Sequence, residues 1–133
     1  MPLLTHITPD QLREYWPRVR TGLLRLEDSS PDWIPEDAYH LLRLGMPHGA
    51  CLSLIADDGF IIWQRLPGAD GCGMLFVLAM VAENMLKHHR ALSTELEELA
   101  RQMQCRRIRY ISKRTEWASL NWTLLGHVYE REL

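Results

Sequence analysis

Nine consecutive residues, Gly73-Met-Leu-Phe-Val-Leu-Ala-Met-Val81, carry no charged, hydroxyl or amide side chain. The run is about half of the roughly 20 residues that a helix needs to span a bilayer. It also lacks the in-out alternation of a strand with one wet face. A run of this kind suits a central β-strand buried on both faces, and the rest of the chain is read around it.

Upstream, Cys51 to Ala56 and Phe60 to Leu66 are apolar-rich runs separated by Asp57-Asp58-Gly59. They are expected to form an antiparallel hairpin, with positive φ at the Asp-Gly step. Pro67-Gly68-Ala69-Asp70-Gly71 makes a second turn into the Gly73–Val81 strand. Before the hairpin, Thr8-Pro9-Asp10-Gln11 reads as a capping box with proline at the first helical position. Leu12, Tyr15, Trp16, Val19 and Leu23 then follow at helical spacing, interrupted by Pro17, where a kink or a restart is expected. Ser29 to Asp32 reads as loop. A second helix is expected from Pro35 to Leu44, stopped by Gly45.

Downstream, Leu92, Leu96, Leu99 and Met103 mark one face of an amphipathic helix, with Glu95, Glu97, Glu98, Arg101 and Gln102 on the other. Cys105 to Ser112 returns to strand character. Thr115 can cap a last helix, Glu116 to Leu125, which ends at Gly126 and leads into a closing strand, His127 to Leu133. The expected order is helix, helix, three strands, helix, strand, helix, strand in one domain over residues 1–133. The class is mixed α/β, or α+β with a mixed sheet. A ferredoxin-like or other mixed arrangement remains open on these grounds.

With 47% hydrophobic and 24% charged residues the chain lies far from the disordered regime. A net charge of −2 gives no global reason to expect nucleic acid. The basic run Arg101, Arg106, Arg107, Arg109, Lys113, Arg114 is read as a solvated strand edge balanced by Glu95, Glu97 and Glu98. Three cysteines without CxxC spacing, and histidines without HxxxH or HExxH spacing, support neither a disulfide framework nor a metal site. The first residues show no basic-then-apolar leader, so a cytoplasmic protein without a membrane segment is expected.

The element order resembles the GNAT superfamily of acyl-CoA N-acyltransferases across nearly the whole chain. The likeness is most specific from Leu96 to Ile111, where an amphipathic helix leads through Gln104-Cys105-Arg106-Arg107-Ile108 into a strand. It recurs at Trp122-Thr123-Leu124-Leu125-Gly126-His127, which is similar to the family's penultimate helix. The resemblance implies a GNAT-like central mixed sheet flanked by helices, and acetyl-CoA as cofactor if the protein is active.

One departure is specific. The family's pyrophosphate loop, Arg/Gln-x-x-Gly-x-Gly/Ala, falls on Asn84-Met85-Leu86-Lys87-His88-His89, and no glycine occurs between Gly73 and Gly126. Glycine lets the backbone approach phosphate closely. Here Lys87, His88, His89 and Arg90 cluster at the helix start instead, where side-chain charge would have to hold an anion. A solvated helix start with no ligand accounts for the same residues.

The tyrosine that family members often use to protonate the leaving thiolate corresponds to Trp122, whose indole N–H is no practical acid. Glu83, directly after the apolar strand, is the carboxylate that fits a general base. Tyr110, on the next strand, is an alternative acid if it faces the gap between strands. Trp33, in Pro31-Asp32-Trp33-Ile34-Pro35, is the tryptophan best placed for a partner, since exposed aromatics anchor interfaces.

Two functions follow from the resemblance. In the first, the chain has lost acetyl transfer and serves as a binding or assembly module with a protein partner, plausibly encoded by a phage or prophage and then working in the host cytoplasm or the virion. In the alternative, it is an active acyl-CoA-dependent N-acetyltransferase with a non-standard pyrophosphate loop.

Overall fold

A computed structural model describes residues 3–25, 35–56, 58–83 and 85–110, the side chains of 85 and 86 excepted. The elements are β1 (Leu4–Ile7), a 3-10 turn (Pro9–Gln11), α1 (Leu12–Leu24), α2 (Pro35–Leu44), β2 (Cys51–Ile55), β3 (Gly59–Pro67), β4 (Gly73–Ala82), α3 (Met85–Gln102) and β5 (Cys105–Tyr110). The expected helix Glu116–Leu125 and strand His127–Leu133 lie outside the described residues.

The described strands form one sheet in the order β1-β2-β3-β4-β5. β1 through β4 are antiparallel neighbours in sequence order, and β4 pairs β5 in parallel. A parallel pair needs a crossover, and α3 supplies it, as its amphipathic pattern predicts. α3 covers one face of the sheet through Leu92, Leu96 and Leu99 against Ile61, Leu75 and Val77. α1 and α2 cover the other, through Leu12, Val19, Leu23, Ala38 and Leu42 against Leu52, Phe60 and Ile62. The apolar run in β4 serves both layers.

β4 carries a bulge. Ile62 pairs Ala79 but Trp63 pairs Val77, leaving Leu78 as an extra residue. Leu75 and Val77 face the α3 layer before it and Met80 does after it, while Leu78 and Ala79 both belong to the opposite layer. Bulges of this kind re-aim side chains and gather beside functional sites.

Three local expectations are corrected. No regular element was expected before Thr8, yet Leu4–Ile7 is an edge strand: Leu4 is buried in one layer and Ile7 in the other. With one apolar residue per face in four, the strand has no alternation to read. The helix does not restart at Pro17, because α1 runs through it from Leu12 to Leu24. Burial of Val19 and Leu23 on one side of that proline and Leu12 on the other offsets the roughly 3 kcal/mol that a mid-helix proline costs.

The capping box expected at Thr8–Gln11 is present at the start of the 3-10 turn. Gln11 Oε1 accepts the Thr8 N–H at 3.0 Å, while the Gln11 N–H donates to the Thr8 carbonyl at 3.0 Å. Among the described residues of the β2–β3 turn the left-handed one is Ala56, at φ 45°, and not Gly59. Gly59 is needed for another reason: a Cβ there would lie 1.8 Å from the Val81 carbonyl oxygen.

Candidate active site

The candidate site is the junction where β4 ends and α3 begins, the place of the expected cluster Lys87, His88, His89 and Arg90. β4 stops at Ala82 and α3 starts at Met85, so the connection is short. The first N–H groups of a helix have no partner within it and carry the positive end of its dipole. Lys87 and Arg90 are exposed there, three residues apart and therefore on neighbouring parts of one helix surface. His89 is half-buried.

His88 is placed differently from its expected neighbours. Its Nε2 lies 2.8 Å from the Asp58 carboxylate, with side-chain exposures of 14% and 19%. The ring is turned to the β2–β3 turn, leaving Lys87 and Arg90 as the solvent-facing cations. In the sequence, Asp58 reads only as a turn residue. Nothing local marks it, because its partner is thirty positions away along the chain.

Glu83 follows β4 as expected and is 79% exposed, 4.0 Å from Arg25 Nη1 at the end of α1. An exposed pair at that distance is worth little. Tyr110 pairs in register with Val77 at the last described rung of β4–β5. It packs with Ile108 against the α3 layer, whereas Arg107 and Arg109 are exposed. From Val77 to Glu83 is roughly 20 Å of extended chain, so the two candidate catalytic residues do not meet. Trp33 and Trp122 lie outside the described residues.

The basic run has a different balance from the one expected. Arg106 pairs Asp70 of the β3–β4 turn at 3.2 Å, and Arg101 pairs Glu97 at 3.9 Å. Glu95 is occupied elsewhere, accepting main-chain N–H groups of β1. The Cys72 N–H, followed by the guanidinium charges of Arg106 and Arg107, holds the Asp70 carboxyl below its ordinary range. Arg106, Arg107 and Arg109 with Met74 and the 67–70 turn line a shallow recess of about 210 Å³. It lies at the start of β4, the far end of the strand from Lys87.

At the other end of α3, Gln104 takes the left-handed conformation, φ 57°, that closes a helix C-terminus. Arg65 Nε donates to the Met103 carbonyl at 2.7 Å, satisfying a helix-end acceptor and fixing the entry to β5. Among the described residues no group of His, Cys, Asp and Glu could hold a metal ion, and no helix is long and apolar enough to cross a membrane.

A five-stranded sheet with this order, a parallel β4–β5 pair joined by α3, and two helices on the opposite face is the GNAT acetyltransferase fold. Among solved structures, the chain is similar to a ribosomal-protein-alanine N-acetyltransferase from Brucella melitensis biovar Abortus 2308, with 17% identity, 98% and 99% of the two chains covered and a TM-score of 0.68. It is also similar to a putative acetyltransferase from Agrobacterium tumefaciens str. C58, at 13% identity, 98% and 99% coverage and a TM-score of 0.67. An integron cassette protein of V. cholerae matches at 13% identity, 97% and 91% coverage and a TM-score of 0.63. No protein-family model and no curated protein matches the sequence. At these identities the likeness is one of fold.

Whether coenzyme A fits is a question about the first turn of α3. The residues suit a pyrophosphate held by side-chain charge, since Lys87 and Arg90 are exposed at a helix start, where N–H groups have no partner within the helix. They do not suit a pyrophosphate gripped by close backbone approach, because a side chain stands at every position of that turn.

Proposed function

We propose that the chain is an acyl-CoA-dependent N-acyltransferase whose cofactor phosphates are held by side chains. The observation that carries the reading is the union of the GNAT acetyltransferase fold with two exposed cations, Lys87 and Arg90, at the start of α3. Lys87 and Arg90 would bind and orient the pyrophosphate. Coenzyme A, when bound, supplies the acyl group as a thioester. Tyr110 is the more sheltered of the two catalytic candidates, half-buried on β5 against the α3 layer while Glu83 is 79% exposed. Its phenol can donate a proton. Glu83, open to solvent, can accept the acceptor amine's proton only through intervening water. The fold does not select the acceptor.

A second reading, a GNAT-fold module without transferase activity that binds a protein partner, is favoured by the glycine-free stretch from Met74 to Leu125 and by tryptophan at position 122. A phage or prophage origin and a partner contact at Trp33 belong to that reading. Calorimetric titration with acetyl-CoA separates the two. Saturable binding is expected, and the absence of heat at millimolar ligand removes the support for the transferase.

A further inference from the structure

The tip of the β2–β3 hairpin is bound to the β4–α3 connection at three successive levels. Gly59 lies against Val81 so closely that no side chain fits between them. The Asp58 carbonyl then accepts the Glu83 N–H at 3.4 Å, extending the β3–β4 ladder by one long rung. Finally the Asp58 carboxylate leaves the sheet and meets the His88 ring on the first turn of α3 at 2.8 Å. One residue of the turn therefore touches both ends of the connection.

In that turn of α3, His88 is a described side chain that contacts another element, the β2–β3 turn. The first described side chain of α3 in the buried core is Leu92, a full turn beyond His88. Lys87 and Arg90, on either side of His88, project into solvent. Helix ends fray, and frayed amides point in no fixed direction. Where glycines are present, the backbone itself can wrap a phosphate. Where they are absent, the direction of the first-turn N–H groups and of the flanking cations must be fixed from outside.

We propose that Asp58 is a positioning residue for the anion site at the start of α3, acting through His88, and that this contact replaces a glycine-rich loop as the element that orients the site. The proposal rests on the transferase reading for the identity of the anion, but the anchoring itself belongs to the free protein. Asp58 does not touch the ligand. Its own charge opposes a phosphate, so a role in direct binding and a role in positioning predict opposite results when it is removed.

The test uses the full chain with Asp58→Ala, His88→Ala and the double variant. Hydrogen exchange is followed in the absence of ligand, and coenzyme A binding is followed by calorimetry. In each variant, amides of the first turn of α3 are expected to exchange about tenfold faster, the loss of one charge-assisted hydrogen bond, with the β3–β4 amides from Phe60 to Leu66 unchanged. Coenzyme A affinity is expected to fall by a similar factor in both single variants and no further in the double variant. Unchanged exchange in Asp58→Ala overturns the anchoring, and tighter binding in Asp58→Ala shows that the carboxylate only repels phosphate. If the wild type binds no coenzyme A while Asp58→Ala still loosens the turn, the cofactor reading fails and the anchor stands.

Discussion

The carboxylate of Glu95, in the middle of α3, accepts the main-chain N–H of Leu3 at 2.6 Å and that of Leu4 at 3.0 Å. A helix on one face of the sheet thereby fixes the start of the edge strand β1, whose ladder bonds go to β2 alone among the described strands. Replacing Glu95 by alanine removes two charge-assisted acceptors and is expected to cost about 2 to 3 kcal/mol. Chemical denaturation measures the loss, and hydrogen exchange should locate it in Leu4–Ile7. A loss spread evenly over the sheet would place the effect in α3 itself.

Leu96 is 1% exposed, beneath α3 against the sheet. Leu96→Ala should destabilise by about 2 to 5 kcal/mol through lost burial and the cavity left behind. A change below about 1 kcal/mol in urea unfolding would mean that this face of α3 is not core, since exposed substitutions stay within roughly 0.5 kcal/mol.

Lys87→Ala combined with Arg90→Ala is expected to abolish acetyl-CoA binding while leaving the melting temperature unchanged, because both side chains are exposed. With both cations in water, wild-type affinity should fall steeply with added salt, which screens over a Debye length of about 8 to 10 Å. His88 is engaged with Asp58, so the charge available to phosphate rests on these two residues. Undiminished binding by the double variant in the same titration would move the phosphates elsewhere.

The thiol of Cys51 is pushed up to about 11, first by burial, against a smaller opposing effect of its hydrogen bond with Ser53. Burial also raises Cys105. At pH 8 a thiol reagent should therefore label Cys51 more slowly in the folded protein than in the unfolded chain, as mass spectrometry of partial labelling would reveal. The folded chain keeps the Cys51 proton where the unfolded chain has released it. Stability should accordingly fall as pH rises from the ordinary thiol value of 9.0 towards about 11, and Cys51→Ser should flatten that decline.

Much of the sheet was legible because its patterns are local. The apolar run of β4, the turn before β3 and the amphipathic stripe Leu92-Leu96-Leu99 each carry their own period, and with them the antiparallel meander and the parallel crossover could be read in order. What stayed illegible depends on residues far apart in the chain. β1 is too short to show alternation, and its hold on α3 runs through Glu95, which reads as one more charge on a polar helix face. Gly59 looks like a turn glycine, although the need for it arises from Val81. At the site, the cationic cluster was visible but its division was not: only folding decides that His88 meets Asp58 while Lys87 and Arg90 stay in water.

The extra residue in β4 divides the strand into two phases. Ahead of Leu78 the odd-numbered residues Leu75 and Val77 point to the α3 side, and beyond it the even-numbered Met80 does. Strand parity cannot be re-set gradually, since a shift of one residue turns every side chain to the opposite face. Deleting Leu78 would fuse the phases, so that either Leu75 and Val77 or Met80 must leave the α3 layer, whichever half keeps its pairing with β3. An alanine at the same position removes only side-chain volume and preserves the count. Residue number at this point in the chain, more than residue identity, is what lets one strand serve two opposed cores and still deliver its end to the first turn of α3.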